Sequence, residues 1–294
     1  MSMSNDIKFK INYKEYPEYM FAMISAFLPC DEGSDIRGIT GGVSFRHDKN
    51  GVSYKNGLIH SYNDHPAVVV GYLQEWYKNG RRHREGDLPA VLEGNRQEWY
   101  KNGMCHRDGD LPAFINGDRQ EWYKNGERHR EHDRPAIIDG DYQVWYKNGV
   151  RYRECDKPSV IHGQYQAWFN KWTLHRDGDL PAVIDGHNYS EWYKDGKLHR
   201  DGDLPARIED TSRHWYKGGM RHRDGDLPAV IYDGRSEWYK DGKLHRDGDL
   251  PAIIDGVRQE WYKNGERHRD GDKPAVINGD RQEWYNNGQQ YHSE

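Results

Sequence analysis

Tryptophan recurs along this chain at an almost constant interval, and that recurrence constrains the fold more than any other feature. Every step between successive repeat tryptophans is 23 residues, except for one step of 24. The structural repeat positions are Trp76, Trp99, Trp122, Trp145, Trp168, Trp192, Trp215, Trp238, Trp261 and Trp284. A fixed period of this length is typical of repeat architectures, in which each unit completes its core against its neighbours.

Each repeat carries a turn signal a few residues after its Trp. In one unit, Asn102-Gly103 separates two short polar and aromatic runs. Asn-Gly favours a tight β-hairpin because both residues accept a positive φ. We therefore expect residues 97–101 to pair antiparallel with residues 104–107. A further short strand is expected at residues 113–115, after a loop that ends at Pro112.

The amino-acid composition suits a β architecture better than a helical bundle. The 294 residues include 11 Trp, 21 Tyr, 32 Gly and 12 Pro. Aromatic rings supply apolar surface in a chain poor in aliphatic residues, and frequent Gly and Pro indicate frequent turns. Because side chains alternate along a strand, Trp99 and Tyr100 should point to opposite faces. The sequence predicts one row of Trp and one row of Tyr.

The wording of the repeat resembles a known family. Residues 100–109, Tyr-Lys-Asn-Gly-Met-Cys-His-Arg-Asp-Gly, are similar to the second half of the MORN repeat, and the variant looks like the MORN-type arrays of giant DNA viruses of amoebae. Arg107 departs from the family pattern, which has Gly after His. The resemblance implies an all-β fold, an elongated single-layer antiparallel β-hairpin repeat array. About ten to eleven repeats would fill residues 51–294, with residues 1–50 as a small N-terminal capping segment.

Three recurring polar motifs invite a chemical interpretation, and a structural one is favoured for each. His-Arg-Asp at 106–108 lacks the other motifs of a protein kinase, and its Arg is expected to pair with the acidic residues around it. Asp-Gly-Asp at 108–110 is expected to fix its loop through hydrogen bonds, with Ca²⁺ binding as the alternative. The row of His lacks the second close ligand that zinc needs. We predict no catalytic residue, no metal site and no cofactor, and hence no enzyme.

The remaining sequence features bear on location. Residues 1–10 show no secretory signal, and the longest apolar run, residues 20–28, is too short to span a membrane. The three Cys are too few and too irregular for a disulfide framework. A cytoplasmic protein is expected, located in a host cytoplasm or a virion if the source is viral. The net charge of −5 predicts no nucleic-acid partner, and direct membrane binding is not expected.

One repeat, at about residues 145–175, departs from the others in several positions at once. Tyr152, Cys155 and Trp172 are the candidate partner-docking residues there, with neutral drift as the alternative. We expect a non-enzymatic scaffold for protein–protein interaction or assembly, and open sheet edges favour self-association, for example as a homodimer. Two alternatives remain open: a peripheral adaptor that binds phospholipid membranes, and a structural component of a virus particle.

Overall fold

The computed structural model describes residues 52–186 and 188–293, and these residues contain only β-strands, isolated bridges, turns and bends. The expected N-terminal cap at residues 1–50 lies outside the described residues. The chain divides into two compact units between Glu127 and Arg128. We call them the N-terminal unit and the C-terminal unit, and each is a single-layer array of consecutive antiparallel hairpins.

The strands of the N-terminal unit are two or three residues long. They are β1 Tyr54–Lys55, β2 Leu58–Ile59, β3 Val68–Val70, β4 Leu73–Glu75, β5 Tyr77–Lys78, β6 Arg81–Arg82, β7 Val91–Glu93, β8 Arg96–Glu98, β9 Tyr100–Lys101, β10 Met104–Cys105, β11 Phe114–Asn116, β12 Arg119–Glu121 and β13 Tyr123–Lys124, and β14 Glu127–Arg128 lies at the boundary.

The C-terminal unit repeats the same two strand types and ends in a longer hairpin. Its strands are β15 Ile137–Asp139, β16 Tyr142–Val144, β17 Tyr146–Lys147, β18 Val150–Arg151, β19 Val160–His162, β20 Tyr165–Ala167, β21 Phe169–Asn170, β22 Thr173–Leu174, β23 Val183–Asp185, β24 Tyr189–Glu191, β25 Tyr193–Lys194, β26 Lys197–Leu198, β27 Arg207–Glu209, β28 Ser212–His214, β29 Tyr216–Lys217, β30 Met220–Arg221, β31 Val230–Tyr232, β32 Arg235–Glu237, β33 Tyr239–Lys240, β34 Lys243–Leu244, β35 Ile253–Asp255, β36 Arg258–Glu260, β37 Tyr262–Lys263, β38 Glu266–Arg267, β39 Val276–Asn278, β40 Arg281–Asn286 and β41 Gln289–Ser293.

In each unit the three-residue strands pair in chain order into one ladder. In the N-terminal unit β3 pairs with β4, β4 with β7, β7 with β8, β8 with β11 and β11 with β12. The C-terminal ladder runs in the same way from β15 to β41, with consecutive pairs such as β15–β16 and β40–β41. The first and last strands within each unit do not pair with one another, so each ladder is open. The predicted all-β array of antiparallel hairpins is confirmed.

The two-residue strands form hairpin tips that project beyond the ladders. Strand β9 pairs with β10 around Asn102 and Gly103, whose φ values are +53° and +85°. Both turn residues are left-handed, as the two-residue Asn-Gly turn requires. The predicted tip turn is therefore confirmed.

The expected long hairpin of residues 97–101 with 104–107 is only partly present. Residues 97–98 pair with β7 and β11 in the ladder, and only β9 pairs with β10 at the tip. The cause lies at Trp99, whose backbone N–H donates to the carbonyl of Ala113 at 2.8 Å. The ladder thus continues through Trp99 before the chain enters the tip. Trp99 therefore separates the ladder pairing of residues 97–98 from the tip pairing of β9 with β10, although the sequence predicts a single strand there.

The core of each unit is built mainly from the Trp of each repeat, the Ala after the loop Pro and, in most repeats, the Val or Ile after that Ala. The ten repeat Trp are only 3% to 9% exposed, and the Ala after each Pro is 0% exposed, as at Ala113. Burying one Trp ring contributes about 5 kcal/mol before the entropy of ordering the chain is subtracted. Ser159 is the one replacement of this Ala among the described repeats, and its buried hydroxyl has no hydrogen-bond partner. The predicted Trp row is confirmed as the core.

Candidate functional site

The Asp that lies two residues before the loop Pro joins its own repeat to the next one. The indole N–H of Trp238 donates to the carbonyl of Asp226 at 3.0 Å. Arg246 donates from Nε and Nη2 to the two Asp226 carboxylate oxygens at 2.8 and 3.0 Å. The Arg246 guanidinium also lies 3.8 Å from the centre of the Trp238 ring. One Asp therefore holds both the Trp and the Arg of the following repeat, an arrangement that we call the clamp.

The clamp corrects two sequence expectations. Arg does not pair with the acidic residue next to it, because its partner lies 20 residues earlier in the preceding repeat. The loop Asp uses its carboxylate for that Arg rather than for backbone N–H groups of its own loop. The same contact recurs at Asp64, Asp87, Asp133, Asp156, Asp179, Asp203, Asp226 and Asp249.

Hydrogen bonds from the clamp Arg residues lower the pKa of these loop carboxyls. Arg269 and Lys273 together lower the pKa of Asp249 to about 2. These carboxylates are therefore ionised and paired across the neutral pH range. Each of these carboxylates is engaged with the Arg of the following repeat.

The recurring His also connects successive repeats. The backbone N–H of Asn264 donates to Nδ1 of His245 at 3.1 Å, 19 residues apart. The Nε2 atom of His245 lies 2.9 Å from Asp247, and Lys240 lies 3.1 Å from the same carboxylate. These His therefore take part in hydrogen bonds between successive repeats. No three His, Cys, Asp or Glu side chains come together as a metal site within residues 52–186 and 188–293.

A second polar network joins the buried Glu of the ladder strands to nearby Arg and Tyr side chains. Glu260 is 3% exposed and accepts hydrogen bonds from Arg258 at 2.7 Å and from the Tyr262 hydroxyl at 2.9 Å. Burial by itself would raise the pKa of Glu260, but these hydrogen bonds and the nearby Arg267 outweigh it, and the pKa is lowered. The Tyr row is thus half-buried and bonded to a row of buried carboxylates.

The departing repeat lacks this carboxylate row. Val144 and Ala167 occupy two successive Glu positions, and both are 0% exposed. Phe169 stands where the hydrogen-bonding Tyr would be, so the acceptor at 167 and the donor at 169 are lost together. Arg151 instead bonds the hydroxyl of Tyr146 at 3.2 Å and lies 4.9 Å from the Phe169 ring centre. The buried side chains at these positions are aliphatic or aromatic, whereas most other repeats bury a Glu that pairs with an Arg.

The hairpin tip of the departing repeat is also altered. Tyr152 replaces the connecting His and is 46% exposed. Trp172 replaces the turn Gly and is 67% exposed, while Lys171 before it keeps a positive φ of +58°. A backbone bridge between Arg151 and Lys171 forms at the place where other repeats have the contact from backbone N–H to His.

The register of that bridge shows which candidate docking residues come together. The bridge joins the two hairpin tips beside Val150 and Tyr152, which flank Arg151, and beside Trp172, which follows Lys171 in the turn between β21 and β22. We call Val150, Tyr152, Lys171 and Trp172 the tip patch.

Cys155 does not belong to the tip patch. It is exposed in the loop that follows, at φ +60°. Sequence reasoning selected Tyr152 and Trp172 because they break the repeat. It missed Lys171, which stands at the turn position where most other repeats have Asn or Asp.

Comparison with known proteins gives no identification. No protein family, no curated protein and no solved structure matches this chain. The resemblance to the MORN repeat and to giant-virus arrays therefore stays a prediction. No helix in the described part of the chain has the length and apolar character needed to cross a lipid bilayer.

Proposed function

We propose that the protein is a non-enzymatic scaffold that binds other proteins through its repeat array. The supporting observation is that two neighbouring hairpin tips present exposed aromatic side chains, Tyr152 and Trp172, at positions where most repeats have His and Gly. Large exposed apolar groups that lie together commonly mark interaction sites. The neighbouring hairpins of the C-terminal unit support that site through the ladder pairing of β16 with β19 and of β20 with β23.

The disposition of the ionisable groups supports a scaffold rather than an enzyme. The recurring Arg, Asp, His and Glu side chains hold one repeat to the next, as in the clamp of Asp226 and Arg246. Catalytic groups usually differ from their surroundings in charge and accessibility, and converge on one pocket. Here the same groups recur in successive repeats and have the same partners. We therefore assign them to stability.

The proposal is tested by affinity capture from an extract of the organism that encodes the protein. The bait is the intact chain, and the matched bait carries consensus residues through the departing repeat. We expect at least one protein in a fixed ratio to the intact chain, identified and quantified by mass spectrometry. Failure of the intact chain to retain any protein above an unrelated β-protein control refutes the scaffold function.

The phospholipid and virus-particle alternatives are tested in parallel. Co-sedimentation with anionic vesicles over a salt series is expected to show no binding, because acids and bases are nearly balanced in the repeats. Mass spectrometry of purified particles, if the source is viral, tests the structural role directly. Strong binding to vesicles at low salt, without protein capture, would replace the scaffold by a membrane adaptor.

A further inference from the structure

We propose that the tip patch binds an acidic segment of a partner protein that also carries an apolar side chain. This inference rests on the proposed scaffold function and narrows it to one place and one partner chemistry. The patch consists of Val150, Tyr152, Lys171 and Trp172. Its apolar component is Val150, Tyr152 and Trp172, and its basic component is Lys171.

The apolar component is the pair of exposed aromatics. Trp172 is 67% exposed and Tyr152 is 46% exposed, and each is next in sequence to a residue of the bridge between Arg151 and Lys171. Trp and Tyr are the side chains most often found at the energetic centre of protein interfaces. They bury a large area with few rotatable bonds, so the entropy lost on binding is small.

The backbone holds this pair in place. Strand β21 pairs with β22 in the register Phe169 to Leu174, which fixes the hairpin that carries Trp172. The bridge from Arg151 to Lys171 then fixes that hairpin to the preceding one, next to Tyr152. A partner therefore meets a preformed surface, which lowers the cost of ordering on association.

The basic component is local and unusual for this protein. Residues 147–174 contain five Lys or Arg and two Asp or Glu, whereas the corresponding residues 240–267 contain six of each. The whole chain carries −5. Among the described residues, no carboxylate lies within ion-pair distance of Lys171, and Arg151 bonds a Tyr hydroxyl instead of a Glu. Charge complementarity thus selects an acidic partner for this patch.

A protein fits this patch better than an anionic membrane does. Each Lys or Arg near an anionic bilayer contributes only about 1 kcal/mol, and one Trp at one hairpin tip adds a single anchor. The negative charge of the chain as a whole opposes approach to an anionic surface. An acidic segment that covers only the patch avoids this repulsion.

The test uses the full-length chain and a random 12-residue peptide library displayed on phage. Selection is carried out against the wild type and against the double variant W172G/Y152H, which restores the consensus tip. We expect the wild type alone to enrich peptides in which Asp or Glu flank Leu, Phe or Trp. The enriched peptide, synthesised with a fluorescent label, is then titrated by anisotropy at low and high salt.

We expect W172G to weaken the binding of that peptide by about 30-fold, the usual effect of removing an interfacial hot spot. K171E should weaken it by about tenfold at low salt and less at high salt. Y291H is the matched control, since Tyr291 is 53% exposed at the same repeat position outside the patch, and it should leave binding unchanged. Circular dichroism shows that each variant remains folded.

Three results overturn the inference: equal enrichment on wild type and W172G/Y152H, neutral or basic selected peptides, or patch-dependent binding only to vesicles of phosphatidylserine and phosphatidylcholine. The two proposals fail separately in the capture experiment. If W172G/Y152H captures the same partners as the intact chain, the scaffold function stands and the inference about the tip patch is wrong. If the intact chain captures no partner, the proposed scaffold function itself is wrong.

Discussion

The clamp predicts a pH-dependent loss of local stability in the variant D249N. In the wild type, Asp249 accepts hydrogen bonds from Arg269 at 2.7 Å and from Lys273 at 2.8 Å. Its carbonyl accepts the indole N–H of Trp261 at 3.1 Å. Asn keeps that carbonyl and tolerates the φ of +55° found here. The substitution therefore removes the carboxylate charge and little else.

The magnitude follows from the pKa of Asp249, which falls from 3.8 to about 2. A shift of that size corresponds to about 2.5 kcal/mol if all of it stabilises the fold. The Asp249 side chain is 42% exposed, however, so solvent and salt screen the pair. We expect D249N to cost about 1 kcal/mol of local stability at pH 7, which is about a fivefold change in an opening equilibrium.

The sign of the pH dependence is fixed because the folded-state pKa lies below the unfolded one. The contribution is complete above the unfolded value of about 3.9 and disappears as the pH falls through about 2. The difference between wild type and D249N should therefore be constant from pH 7 to about 5. It should shrink below about pH 4 and vanish near pH 2.

Hydrogen exchange followed by mass spectrometry measures this difference in the peptides that cover residues 249–270. Local opening is the suitable quantity, because a long repeat array need not unfold in one step. D280N is the matched control, since Asp280 is an exposed turn residue. An unchanged exchange rate at pH 7, or a difference that persists to pH 2, would refute the clamp as a source of stability.

Three further substitutions test the buried polar groups. S159A should stabilise the protein by about 1 kcal/mol, because the buried hydroxyl has no partner; a lower urea midpoint would contradict this. E98A should cost about 2 kcal/mol, since Glu98 is 4% exposed and bonded to Tyr100 at 2.8 Å, and E98A/Y100F should cost less than the summed single variants in a double-mutant cycle. H245A should raise the exchange rate of the Asn264 amide, which donates to Nδ1 of His245; an unchanged rate would show that this bond does not protect the amide.

The repeat, its turns and its Trp core follow from the amino-acid sequence alone. A 23-residue period and Asn-Gly pairs specify local events, because turn conformation and side-chain alternation depend on residues close together in the chain. The rows of Trp follow from the same periodicity. This is why the all-β array and the Trp core could be predicted without coordinates.

The partners of the recurring Arg and Asp side chains depend on the tertiary structure. The clamp joins Arg246 to Asp226, 20 residues away, rather than to the adjacent Asp247. That choice depends on the lateral offset between neighbouring hairpins, which no local pattern encodes. The same offset places Arg151 opposite Lys171, and so brings the neighbouring Tyr152 and Trp172 to one end of the two hairpins. The sequence identified the departing repeat, and the register between strands assembled its exposed residues into one surface.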